Sequence, residues 1–240
     1  MVDVAIIGGT GIGSRLMERA GQVLHVPTPE GLVRGKLLEV QAARVLLLSR
    51  HSAGHKVPPH LVNYRAMALA LARLQVKACL ATAAVGSLRR NWKPGTMVVC
   101  SDFLDVTARH ATLFDRQVVH TDFSDPFPAR RHLLAGAAEV DQPVEDGGVY
   151  LCANGPRYET PHEIEVYEKL GADVVGMTAA TEAIAMREAG VPYGCLAVVT
   201  NLAAGYEDEP LSHEEVVTEM ERAGERAVAV LLAAVGKIVE

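Results

Sequence analysis

The chain has little of what several classes of function demand. It carries only four cysteines in 240 residues. Cys79, Cys100, Cys152 and Cys195 are too scattered for the short spacing of a zinc or redox motif, so buried reduced thiols are expected and no metal site. A basic excess is also lacking. The formal net charge of -6 leaves nothing to neutralise a polyanionic backbone, which excludes nucleic acid as the expected partner. No apolar run reaches the ~18 residues needed to cross a bilayer, and the N-terminus has no basic segment ahead of a cleavable apolar core. A soluble cytoplasmic protein without a membrane partner is therefore expected. Internal repeats, low-complexity tracts and linkers are missing too.

What is present reads as an ordinary globular chain, with 49% apolar and 22% charged residues, and residues 1–240 are expected to form a single domain. Runs rich in Val, Ile and Leu recur at Val4–Ile7, Val45–Ser49, Cys79–Thr82, Met97–Cys100, Val149–Ala153, Val174–Met177 and Cys195–Thr200. Such runs suit strands buried on both faces. Segments of helical spacing separate several of them: Asn63–Leu74, Pro161–Leu170, Thr181–Ala189 and Ser212–Val239. The alternation predicts an α/β fold with a mixed central β-sheet flanked by helices. Two helix starts are legible in "TPHE" (Thr160–Glu163) and "SHEE" (Ser212–Glu215), each with a hydroxyl three residues ahead of a Glu. The stretch Asp105–Asp125 is too long for an ordinary connection without a job or a partner surface.

The N-terminal segment "AIIGGTGIG" places glycines and Thr10 behind the first apolar run. Its spacing breaks the dinucleotide fingerprint, and no lysine follows it until Lys36, so it is not a phosphate-binding P-loop. Flexible backbone and one hydroxyl at a strand end remain, an arrangement whose N–H groups can converge on a small oxyanion such as orthophosphate. Matching groups follow the other apolar runs: Arg50, His51 and His55 in "SRHSAGH", and Thr178 in "GMTAATEA". Guanidinium suits phosphate geometry, and in an open α/β sheet such strand ends converge.

Taken together, "IIGGTGIG", "RHSAGHKVPPHLVNYRA", "TAAVGSL", "PGTMVV", "GVYLCANGPRYET", "GADVVGMTAATEA" and "VVTNLAAG" resemble the trimeric purine nucleoside phosphorylase and methylthioadenosine phosphorylase family. The pieces stand in family order over nearly the whole chain. The resemblance implies a homotrimer, with or without further pairing into a hexamer, in which the next subunit completes each active site. It implies a pentosyltransferase: phosphate attacks the ribosyl C1′ and the purine leaves, with inorganic phosphate as co-substrate and no cofactor. Carried over by position, Thr10, Arg50, His51 and Thr178 would bind phosphate. Ala84 would lie near sugar and base, Tyr158 would stack on them, and Met177 would sit beneath the ribose. His51, Glu159 and Asn201 would take part in the chemistry. The departures are Ala83, where many relatives place a hydroxyl that binds phosphate, and Thr181-Glu182, where relatives read Pro-Glu.

Hydrogen-bond chemistry bears on the base. A 6-oxopurine offers N1–H as donor and O6 as acceptor, and adenine offers the reverse. Glu159 is an ionised acceptor that welcomes N1–H, and Asn201 can donate to N7 or O6, where methylthioadenosine enzymes usually carry Asp. A mispaired buried edge costs roughly 1–3 kcal/mol per group, so the pair predicts 6-oxopurine nucleosides. The 5′ end gives two signals. His213 matches the residue that binds a 5′-hydroxyl, whereas His120 matches one that the neighbouring subunit sends into a methylthio pocket. Inosine, guanosine and 5′-methylthioinosine all stay open as substrates. The alternatives are a methylthioadenosine phosphorylase and, given Ala83, a non-catalytic purine nucleoside binder.

Overall fold

A computed structural model describes residues 1–52, 56–207 and 211–240, with only the backbone of Ser14. His55 lies outside the described residues. The strands are β1 (Val4–Gly8), β2 (Gln22–Thr28), β3 (Gly31–Val40), β4 (Ala43–Ser49), β5 (Ala78–Ser87), β6 (Met97–Val99), β7 (Asp102–Asp105), β8 (Glu145–Asp146), β9 (Val149–Cys152), β10 (Val174–Gly176) and β11 (Tyr193–Leu202). The α-helices are α1 (Ile12–Glu18), α2 (Tyr64–Arg73), α3 (Arg130–Glu139), α4 (Pro161–Lys169), α5 (Ala179–Glu188) and α6 (His213–Val239). All strands belong to one mixed sheet.

β1 is apolar throughout because helices cover both of its faces. Val4 and Ile6 pack with Leu16 of α1 and with Met220 and Ala223 of α6. Ala5 and Ile7 pack with Met67 and Leu71 of α2 and with Ala179 and Ala183 of α5. Each large side chain so buried contributes roughly 1.5–3 kcal/mol. Both capping boxes form: Thr160 and Glu163 close the start of α4, and Ser212 and Glu215 that of α6. The four cysteines are buried and free. No helix among the described residues is long and apolar enough to cross a membrane.

Some elements are not announced by any apolar run. The β2–β3 hairpin is one, since β2 buries only Val26. Helices α1 and α3 have no side-chain cap, β7 is short with only Phe103 and Leu104 apolar, and β8 is two acidic residues.

The sheet opens at its centre, and this opening locates the site. Strand β5 pairs along one side with β11 from Cys79 to Ser87. Its other side pairs with β1 only as far as Ala81 and then with antiparallel β10 at Gly86 and Ser87. Strands β1 and β10 thus approach each other head-on, their carboxyl ends meeting over residues 82–85 of β5. Strand β4, parallel to β1, ends beside the same gap. A ligand site at such a switch in strand order is the general expectation for open α/β sheets.

Candidate active site

A cavity of about 390 Å³ fills this opening. Its wall includes Thr10 beyond β1, Arg50 and His51 beyond β4, Ala84 of β5, Tyr158 and Glu159 ahead of α4, Met177 and Thr178 beyond β10, Asn201 of β11 and His213 at the start of α6. The structure brings these sequence-selected residues to one place. His120 is exposed on the irregular segment and does not line this cavity of its own chain. Ala83 is buried and is also absent from the wall.

Arg50 is the most tightly held of the set, with a side chain only 1% exposed. Its Nε and Nη2 donate to the two carboxylate oxygens of Glu182 at 2.5 and 2.8 Å, and Nη1 donates to the Thr82 carbonyl at 2.8 Å. One hydrogen on each Nη stays available to a ligand. Burial works against the charged guanidinium, yet the Glu182 charge and hydrogen bonds outweigh it and hold the Arg50 pKa above the ordinary value. Glu182 also accepts from the Tyr193 hydroxyl at 2.6 Å. This carboxylate therefore aims the arginine and offsets its charge, so an anion in the cavity meets directed N–H and O–H groups rather than a bare cation. Gly9 makes room for the arrangement, because a Cβ there would stand 2.6 Å from Arg50 Nη1. The Gly9 amide donates to the Thr82 hydroxyl at 3.2 Å.

His51 is buried, with Nδ1 2.8 Å from the Val57 carbonyl. A carbonyl only accepts, so Nδ1 carries a proton and the ring holds the backbone at Val57, next to Pro58 and Pro59 in the wall. Thr178 is the N-cap of α5 but makes no side-chain cap hydrogen bond. Its amide donates to the hydroxyl of buried Tyr150 at 3.2 Å. Tyr150 requires Gly176 opposite it, since a Cβ there would lie 2.2 Å from the phenolic oxygen.

Asn201 owes its position to a bulge, where the β11–β5 register shifts between Val199 and Asn201. Its Nδ2 donates to the Leu202 carbonyl and its Oδ1 accepts from the Thr200 hydroxyl, both at 2.8 Å. The Leu202 carbonyl, an acceptor only, fixes which way the amide faces, and Nδ2 keeps a second hydrogen for a ligand. Glu159 is partly buried. Desolvation pushes its carboxyl above the ordinary glutamate range, against a hydrogen bond from its own backbone and the charge of Arg157.

Sequence reading passed over several residues that matter here. Glu182 was not visible as the partner of Arg50, from which 132 positions separate it, nor was Tyr193 as the donor to Glu182. Lys56 also lines the cavity. The Thr181-Glu182 departure does not disturb the helix start, because α5 begins at Ala179. Among the described residues no cluster of His, Cys, Asp or Glu could hold a metal.

These features define an α/β protein whose strand ends share one cavity, lined by Thr10, Arg50, His51 and Thr178 and also by apolar side chains such as Val85, Met177 and Val216. The class can be stated more closely: residues 3–236 match the Phosphorylase superfamily, and the chain belongs to it. The chain is 40% identical over 235 residues to a probable S-methyl-5′-thioinosine phosphorylase of Methanopyrus kandleri, covering 96% of this chain and 91% of that protein. It is 39% identical over 246 residues to the 6-oxopurine nucleoside phosphorylase of Pyrococcus furiosus, covering 98% and 92%. Among solved structures, methylthioadenosine phosphorylase from Schistosoma mansoni in complex with adenine superposes with a TM-score of 0.94. That match has 30% identity and covers all of this chain and 92% of the other.

Proposed function

We propose that the protein is a pentosyltransferase that cleaves purine nucleosides with phosphate, giving the free base and a ribose 1-phosphate or its 5-methylthio analogue, with 6-oxopurines preferred. The observation that carries this reading is the Arg50–Glu182 pair at the sheet opening, with the Thr10 and Thr178 strand ends beside it. Phosphate binds to Arg50, His51, Thr10 and Thr178, under a ribose resting on Met177 with the base between Tyr158 and Ala84. Oxocarbenium character in the breaking glycosidic bond is met by the anion on one face. On the other side, Asn201 donates to N7 or O6 as negative charge gathers on the purine, and Glu159 accepts from N1–H. No organic cofactor or metal enters this scheme; phosphate is a co-substrate.

The 5′ group lies by Leu211, His213 and Val216, which line the same cavity. One polar ring beside two apolar side chains suits either a hydroxyl or a methylthio group, so inosine, guanosine and 5′-methylthioinosine are all included. His120 reaches a neighbour's cavity in a homotrimer, consistent with its exposed position, and the protein works in the cytoplasm.

The base assignment is tested by comparing release of hypoxanthine and adenine from paired nucleosides. The wild type favours hypoxanthine, and Asn201→Asp shifts the ratio toward adenine by roughly tenfold or more, the worth of one re-paired polar edge. A wild type that releases adenine faster points to a methylthioadenosine phosphorylase and overturns the assignment. Tight purine binding without any product points to a binder.

A further inference from the structure

The irregular segment after β7 lies along α5 and is fastened to it at both ends. At the carboxyl end of α5, Glu188 accepts from the Thr112 hydroxyl at 2.9 Å and from the Leu113 amide at 2.5 Å. Arg187 Nε donates there to the Asp122 carbonyl at 2.9 Å. At the amino end the fastening is Arg109. Its Nη1 donates to the Met177 carbonyl at 2.6 Å, to the Thr181 hydroxyl at 3.2 Å and to the Tyr64 hydroxyl at 3.3 Å. Its Nη2 donates to the Asn154 carbonyl at 2.5 Å.

Two of these acceptors matter most. The Met177 carbonyl belongs to the peptide whose N–H is that of Thr178, and this N–H points the opposite way, to the Tyr150 hydroxyl at 3.2 Å. The peptide joining Met177 to Thr178 is thus gripped from both sides, by a guanidinium on its oxygen and a phenol on its nitrogen. The Asn154 carbonyl immediately precedes Gly155, at which a Cβ would stand 2.4 Å from the Met177 sulfur. Arg109 therefore holds both the backbone of Met177 and the chain against which its side chain rests. A planar fork bridges carbonyls from two segments with its donor directions fixed, whereas a rotatable ammonium would hold them less rigidly.

We propose that Arg109 is a positioning residue for the phosphorolysis reaction: by clamping the Met177–Thr178 peptide to the Asn154 carbonyl, it sets the ribose floor and the Thr178 hydroxyl relative to Arg50. The proposal deepens the function argued above and rests on it. Arg109 touches no substrate; it acts through Met177 and Thr178.

The test is steady-state kinetics of wild type, Arg109→Ala and Arg109→Lys with inosine and phosphate, alongside thermal melts and a crystal structure of Arg109→Ala. Displacing reacting groups by about 1 Å costs on the order of 100-fold, so Arg109→Ala is expected to lose that much in kcat/KM, with a raised phosphate KM. Arg109→Lys recovers part of the loss, and millimolar guanidinium ion restores activity to Arg109→Ala without accelerating the wild type. Kinetic constants of folded Arg109→Ala within twofold of wild type overturn the proposal. So does a loss that neither lysine nor guanidinium relieves. If the wild type itself lacks phosphorolysis, the functional reading has failed. The crystal structure then decides the clamp separately: a displaced Met177–Thr178 peptide supports it, and an unmoved one overturns it.

Discussion

At the level of single residues, two carboxylates of opposite character belong to the proposed site. Glu182 is fully buried and spends both oxygens on Arg50 and Tyr193. Removing one partner of a buried pair strands the other charge, at a cost of about 3–5 kcal/mol. Glu182→Ala is accordingly expected to lower unfolding stability by that amount in urea titrations and to raise the phosphate KM; unchanged stability and KM would count against the role given to it. Glu159 differs in being partly exposed to the cavity, with its carboxyl pushed upward by burial. In the proposed reading its ionised form accepts N1–H, so this recognition would be present above its pKa and lost as pH falls through it. The acid limb of kcat/KM for inosine, corrected for the ionisation of phosphate, should have its midpoint above the usual glutamate value and disappear in Glu159→Gln. An identical limb in the variant contradicts the assignment. For residues with a recognisable segment around them, such as Arg50, Thr178 and Asn201, placement at one cavity was legible in the sequence. Glu182 and Arg109 were not, because their meaning lies in partners distant along the chain: Glu182 in Arg50, and Arg109 in Asn154 and Met177.

Elements were legible where burial was two-sided or a cap was written in the sequence. β1 read as a strand because helices cover both of its faces, and α4 and α6 read as helices because their hydroxyl–glutamate pairs close into capping boxes. The β2–β3 hairpin lies at the sheet margin, where one-sided burial leaves too few apolar positions to show. α3 opens on Arg130, Arg131 and His132 without a side-chain cap, and packing, chiefly against α6 and also against β11 and β6, stabilises it as a helix. The start of α6 has a second task, since His213 and Val216 in its first turn line the cavity. Ser212→Ala removes one cap and is expected to lower stability by about 1 kcal/mol in thermal melts. The same change should raise the nucleoside KM more than it alters kcat. An effect on kcat alone would contradict a binding role for this turn.

For the whole molecule the decisive feature is the opening in the sheet. Strands β1 and β10 run toward each other along one side of β5 and stop short, which brings the ends of β1, β4 and β10 and the bulge of β11 to a single cavity. Sequence alone foresaw the convergence of strand ends but not the antiparallel approach of β10 that produces the gap. The proposed reaction requires that this gap hold phosphate as the nucleophile. It is tested by incubating the protein with inosine, with and without phosphate, following hypoxanthine by absorbance and the sugar product by proton and phosphorus NMR. Hypoxanthine release that requires phosphate and yields ribose 1-phosphate is the predicted result. Release of free ribose at the same rate without phosphate would contradict it.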